Sequence, residues 1–408
     1  MTQCEFLTPV MVAPDEAEGL ICMAARPRRP RRLPIEAALG LTLAEPLRAD
    51  RDCPPFPRAM MDGYAVRLAS AGKTIAVLGE IAAGESCETP VRDDACLAIA
   101  TGACCPPGTE AVVQKEHARC EGEQVTLPPR VLPGRHIAAP GSECAAGRLI
   151  AGSGQRITGL MVAAMAAVGC REVQAVPRPS AAVVTTGGEL VSVEREPGRT
   201  EIRDSNGPMM AAMLKAMNVD CRRRVQVPDR REAILRAVEE ANDCDLVLLS
   251  GGVSVGSYDL VPDVMQQYGA EPVFHKVRQK PGKPLLLARN REQLLFGLPG
   301  NPLAAHLCME RYVRLAIGCM EGRTDLPSRS WGRLTAGLRP RAGRTYFMTA
   351  VCEPPDAPAD AWRLSPVFGA SSADVFTTCR ANGYIVVPPG REDHAAGDIL
   401  EFFRTCPL

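Results

Sequence analysis

The stretch from Pro179 to about Met320 constrains this chain most, because apolar runs alternate there with helical patterns in a regular order. AAVVTTG, RRRVQV, DLVLLSGG, LLLA and QLLFGLPG read as strands, and PMMAAMLKAM, REAILRAVEEAN, LVPDVMQQY and PLAAHLCMERYVRLAI read as helices. Apolar strands separated by helices of this length predict a doubly wound parallel sheet covered on both faces. In such sheets ligands bind beyond the carboxyl ends of the strands, which is where the glycine-rich loops of this stretch fall.

The flanks are patterned differently. From about Cys53 to Pro140, short runs such as TIAVLGEI, CLAIATG, EAVVQKEH and EQVTLP are separated by Gly and Pro clusters, which predicts a small β-rich insertion. Helical patterning around Asp15 to Ala25 and Ile35 to Leu39 precedes it. An apolar helix at Ile157 to Val168 and a strand at Glu172 to Val176 follow it. The fold class expected is α/β plus β and multidomain. Residues 1–50 and 141–178 form a split helical domain, 51–140 the insertion, 179–327 the α/β domain and 328–408 a small C-terminal β domain. The segment RPRRPRR, Arg26 to Arg32, cannot be helical through Pro27 and Pro30, and reads as a solvated extended hinge rather than an anion patch.

Composition removes several classes of function. Lys plus Arg equals Asp plus Glu at 47, so no overall field attracts nucleic-acid phosphates. The 17 cysteines are scattered, odd in number and without a C-x-x-C pair, so most are expected to be small buried hydrophobes in a reducing compartment. The N-terminal MTQCEFLTPV has no signal-like pattern. The longest nearly apolar run, Leu160 to Cys170, is well short of the roughly 20 residues of a membrane span. A cytoplasmic protein with neither membrane nor nucleic-acid partner is expected.

Three loops carry the chemistry. In LLSGGVSVGSYD, Gly251, Gly252 and Gly256 free the backbone to approach an anion, although neither the P-loop nor the dinucleotide fingerprint is present. HKVRQKPGKP gathers Lys276, Arg278, Lys280 and Lys283 around rigid prolines, which read alone is equally an exposed basic hairpin or a place where ammonium groups receive a compact tetrahedral oxyanion. FGLPGNPLAAH puts Gly297, Gly300 and Asn301 before a helix beginning near Pro302, an anion-binding arrangement. Three carboxylates sit at strand ends: Glu189, Asp229 and Asp259. Each reads equally as a helix cap or surface charge and as a magnesium ligand beside phosphate.

PPFPRAMMDGYAVR (Pro54 to Arg67), TGACCPPGTEAVV, TTGGEL, IRDSNGPMM, SGGVSVGSYD, KPGKP and GLPGNP occur in this order, and together they resemble the molybdopterin molybdenumtransferase family, which includes a domain of gephyrin. The resemblance implies a homodimer whose clefts are completed by the partner subunit, and a reaction in which molybdate enters adenylylated molybdopterin and AMP leaves. It also implies Mg2+, encounters with the molybdopterin-adenylylating enzyme, and client molybdoenzymes. Substrate phosphates would lie on Gly251, Gly252, Ser254, Gly256, Pro299, Gly300, Asn301 and Pro302, and molybdate on Lys280, Lys283 and Arg344. The functional acids and hydroxyl would be Asp62, Thr101, Glu189, Asp229 and Asp259, with Glu189 and Asp259 holding the metal. Asp62 and Thr101 belong to the insertion, from which they would reach the other subunit's sheet.

The chain departs from that family pattern at four places: Gly188 and Ser257 stand where the family carries aspartates, Ala59 where it carries a serine, and Ala138 with Ala139 where it often carries arginines. These departures motivate an alternative, a molybdopterin-binding storage or carrier protein with little catalysis.

Overall fold

The computed structural model describes residues 11–252, 260–291, 293–325, 329–340, 343–357, 360–391 and 393–405. Its centre is a six-stranded sheet built from β1 (Ser180–Thr186), β2 (Asp220–Val227), β3 (Leu246–Ser250), β4 (Glu271–His275), β5 (Leu286–Asn290) and β6 (Gln293–Leu298), in the order β2-β1-β3-β6-β5-β4. β2, β1, β3 and β6 pair in parallel. The all-parallel expectation is corrected at β5, which runs antiparallel to both β6 and β4. Asn290 pairs with Gln293, so too little chain separates β5 from β6 for a crossover, and a tight turn can only return the strand antiparallel. β4, which was not expected, carries Pro272 and lies at the sheet edge, where a missing N–H is tolerated.

Because successive strand residues point to opposite faces, the sheet has two cores. Ala181, Val183, Leu246, Leu248 and Phe296 pack with Met210 and Leu214 of α1 (Asn206–Ala216) on one face. Val184, Val247, Leu249 and Leu295 pack on the other with Ile234 and Val238 of α2 (Arg231–Glu239) and Val264 of α3 (Leu260–Gln267). The first of these cores also takes Ala17 and Ile21 of the N-terminal helix Pro14–Ala24, so that helix packs with the α/β layer rather than with the split domain.

The split domain has its own cluster, in which Ile35, Leu43 and Leu47 meet Ile157, Met165 and Val173. Strand Arg31–Pro34 pairs antiparallel with Glu172–Val176 and ties its two pieces together. The arginine segment is therefore extended but not merely solvated: Arg31 and Arg32 are in that strand, and Arg28 pairs with Asp245 of the α/β layer at 3.0 Å. The insertion forms a separate six-stranded sheet. In the C-terminal region Thr345–Glu353 pairs with both Trp362–Pro366 and Gly383–Val387, which closes the sheet into a barrel and leaves the short strand Gln279–Lys280 attached outside it. Among the described residues no helix is long and apolar enough to cross a membrane.

The cysteine expectation needs correction. Of the fifteen described, all free thiols, only Cys96, Cys105, Cys244, Cys308 and Cys352 are buried, and burial pushes the Cys96 thiol up to about 12. The others lie half covered or exposed, positions that a small and weakly polar side chain tolerates.

His275, at the end of β4, is buried and neither ring nitrogen has a hydrogen-bond partner among the described residues. Burial, reinforced by Lys276, pushes its pKa down from 6.5 to about 4. The unfolded chain therefore binds this proton first as pH falls, so stability is lost between pH 6.5 and about 4. Urea unfolding of His275→Leu should show a shallower loss across this window than wild type; parallel curves would contradict the assignment.

Candidate active site

One cavity of about 1450 Å3 lies between the carboxyl ends of β1, β3 and β6 and the C-terminal barrel. It brings together the three glycine-bearing loops, with Gly251 and Gly252 after β3, Pro299, Gly300, Asn301 and Pro302 after β6, and Lys280 to Pro284 between them in the chain. A side chain added at Gly251 would place its Cβ 2.0 Å from the Thr186 carbonyl oxygen, and φ is +100° there, so only glycine fits. A Cβ at Gly300 would lie 3.8 Å from the Gly251 Cα, so the two phosphate-type loops touch. The N–H groups of Gly252, Gly300 and Asn301 have no acceptor among the described residues, whereas the Gly251 N–H is bonded to the Leu298 carbonyl at 3.4 Å. The expected helix start at Pro302 is present, but its Leu303 N–H already donates to the Ser372 carbonyl at 3.1 Å.

The positive side of the cleft is lined by Lys280, Lys283, Arg344 and Arg203. Lys280 pairs in register with Tyr346 of the barrel, and its ammonium lies 5.5 Å from the centre of that ring. Barrel and loop thus fix where the charge sits. Lys280, Lys283 and Arg344 have no carboxylate partner among the described residues. Lys276 and Arg278 do not line the cavity: the Arg278 N–H donates to the Val12 carbonyl at 2.8 Å, which turns that side of the loop toward the N-terminal segment.

Four acids line the same space. Glu201 is clamped by Arg195 at 2.8 Å, and Asp204 accepts from Thr185 at 2.8 Å and the Gly207 N–H at 2.9 Å. Glu189 and Asp229 remain. Asp229 does not cap the helix after it; its carboxylate accepts from Thr186 at 3.2 Å and faces the loop at Gly252. Among the described residues no three metal-ligating side chains are gathered. A cation here would draw on these two carboxylates and take its other ligands from phosphate oxygens and water, which is magnesium's habit. Ser254, Gly256, Ser257 and Asp259 lie outside the described residues.

Asp62 and Thr101 do not line this cavity. They form a clasp on the surface of the insertion, where Asp62 accepts from both the Thr101 hydroxyl and the Thr101 N–H at 2.7 Å. Those bonds hold the Asp62 carboxyl below its usual range. Of the departures, Ala59 and Ala138 are buried small residues at adjoining positions of one strand pair, so they pack rather than face solvent.

Several cleft residues were given no role by sequence reasoning. Asn206 is buried and donates to Ser250 at 2.8 Å and to the Gly300 carbonyl at 2.8 Å, stitching β3 to the second glycine loop. Ser372 accepts from the Asn301 side chain at 2.7 Å, joining that loop to the barrel. The string IRDSNGPMM pointed toward Asn206, but nothing in the sequence singles out Ser371, Ser372 or Phe376, which the barrel brings in from about seventy residues away.

Residues 12–169 match the family described as MoeA N-terminal region (domain I and II), and residues 182–318 match the probable molybdopterin binding domain. The chain is 30% identical over 380 residues to the molybdopterin molybdenumtransferase of Staphylococcus epidermidis, covering 91% of this chain and 90% of the relative. It is 29% identical over 409 residues to that of Bacillus subtilis, covering 97% and 94%. The crystal structure of the molybdopterin biosynthesis MoeA protein from Pyrococcus horikoshii superposes with a TM-score of 0.81 at 25% identity, covering 98% of this chain and all of that one. The shared fold, the paired domain matches and the near full-length relatives agree: this chain belongs to the molybdopterin molybdenumtransferase family.

Proposed function

We propose that this chain is a transferase of molybdenum cofactor biosynthesis that inserts molybdate into adenylylated molybdopterin and releases AMP, with Mg2+ bound at the phosphates. The observation that carries the reading is one cleft in which four cationic side chains converge with backbone N–H groups that have no acceptor among the described residues. Molybdate and a phosphoanhydride repel each other. Lys280, Lys283 and Arg344 lower the cost of bringing the oxyanion close, while Gly252, Gly300 and Asn301 hold phosphate oxygens beside it. Glu189 and Asp229, with Asp259 as a further candidate, would hold Mg2+, which when bound neutralises charge on the phosphate oxygens. The substrate's two dithiolene thiols bond to molybdenum, their protons carry one oxide away as water, and a second water adds across the phosphoanhydride to give AMP and the phosphate of the pterin.

The working unit we infer is a homodimer in the cytoplasm, with the Asp62–Thr101 clasp completing the partner's cleft. Two exposed apolar surfaces support it. Met60 and Met61 beside the clasp are 54% and 39% exposed, and Leu160 on the apolar helix Gly159–Ala167 is 85% exposed. Exchange with the adenylylating enzyme and with client molybdoenzymes belongs to the same proposal.

Purified protein incubated with adenylylated molybdopterin, molybdate and magnesium tests it. AMP release matched by molybdenum incorporation is expected, and binding of the pterin with neither event would favour the carrier alternative. Gly188 bears on that alternative, since a Cβ there meets nothing within 4 Å. Gly188→Asp should fold normally and lower the magnesium needed for half-maximal rate several-fold, as an added carboxylate beside Glu189 would. An unchanged magnesium dependence would remove Gly188 from the metal account.

A further inference from the structure

Phe376 is 87% exposed yet lines the active cleft, at a place in the fold that is well anchored. The Asp374 side chain accepts from the Thr377 N–H at 3.0 Å and the Ala370 N–H at 2.9 Å, and Thr378 beneath is buried. The same turn is joined to the glycine loop through Ser372, which receives the Asn301 amide at 2.7 Å. An aromatic ring is thus held out into the cleft by a hydrogen-bonded scaffold. Leaving so large an apolar face in water is unfavourable by itself. Ile202, 56% exposed, contributes a second exposed apolar side chain to the same cavity.

We propose that Phe376 is a stacking platform for a flat heteroaromatic ring of the substrate, with Ile202 as the apolar surface that confines the ring. The proposal rests on the molybdenum-transfer reading, whose substrate carries such a ring at each end, a purine and a pterin. Stacking suits this position because every such ring presents a π face, and contact with one aromatic side chain adds affinity without a fixed hydrogen-bond pattern. The phosphates are held on the loop to which the turn is tied, so the ring and the anion are positioned by one rigid unit.

Calorimetric titration of the full chain tests it, with AMP, 6-hydroxymethylpterin and the ringless ribose 5-phosphate as probes, on wild type, Phe376→Ala, Phe376→Leu and Phe376→Trp. Thermal unfolding should not move, because the ring is exposed. The Ala and Leu variants should weaken a ring-bearing probe about tenfold, the Trp variant should retain it, and ribose 5-phosphate should bind all four alike. A loss confined to AMP assigns the purine to Phe376, and a loss confined to the pterin assigns the pterin. In turnover the Ala variant should raise KM with little change in kcat. If Phe376→Ala binds every probe as tightly as wild type does, the platform is wrong while the transfer reading stands. If wild type binds neither ring-bearing probe, the transfer reading itself fails.

Discussion

Gly251→Ala is expected to remove nearly all molybdenum transfer and to destabilise the chain by about 3 kcal/mol, at the upper end of ordinary single substitutions. Two costs act together. The new Cβ would sit 2.0 Å from the Thr186 carbonyl oxygen, and φ at this position is +100°. Backbone atoms at the end of β1 cannot swing aside as a flexible side chain would, so either the loop or the strand must shift. A shift at Gly251 also disturbs Gly300, since a Cβ at Gly300 already lies 3.8 Å from the Gly251 Cα. Both phosphate-type loops would then be misplaced, and small misplacement at a reacting centre costs large factors in rate. Gly188→Ala is the control, because it adds the same methyl group into open space on the same rim. The check is thermal unfolding together with AMP release; equal values for the two variants would contradict this account of Gly251.

Lys283→Ala is expected to raise half-saturating molybdate roughly 10- to 150-fold, the range that follows from losing a charge-assisted contact of about 1.5–3 kcal/mol. AMP affinity should hardly change, because the phosphate loops do not depend on this side chain. The main chain of the lysine loop is fixed independently: the Val277 N–H donates to the Lys283 carbonyl at 2.9 Å, and Gln279 donates to the Gly282 carbonyl at 3.3 Å. Loss of the ammonium should therefore leave the loop in place. Rate against molybdate concentration, with AMP binding measured in parallel, separates the two effects. A fall in AMP affinity as large as the change in molybdate dependence would mean that Lys283 supports the loop rather than the oxyanion.

Much of this arrangement was legible where a local signal had one physical reading. The inner strands β1, β3 and β6 are largely apolar and buried along their whole length, as cover on both faces requires, and the loops that follow β3 and β6 carry glycines where the backbone must come close. The direction of β5 was available too, since so few residues separate it from β6, but the regular alternation suggested a parallel sheet. Other features were not written locally. The pattern of Pro14–Ala24 says which face is apolar, not that this face covers the α/β core rather than the split domain. Closure of the barrel depends on one long strand having two partners, which alternation cannot reveal. Asp62 meets Thr101 across 39 positions, and Ser372 meets Asn301 across 71, so only the folded chain exposes these pairs.

The central claim is that one cleft holds a nucleotide and a metal oxyanion side by side. The most direct test is a crystal soaked with AMP and molybdate and measured at the molybdenum absorption edge. The account predicts an anomalous peak among Lys280, Lys283 and Arg344, with the AMP phosphate in the same cavity on the Gly252 and Gly300 loops. Molybdenum and nucleotide in separate cavities, or molybdenum away from all three cations, would contradict it.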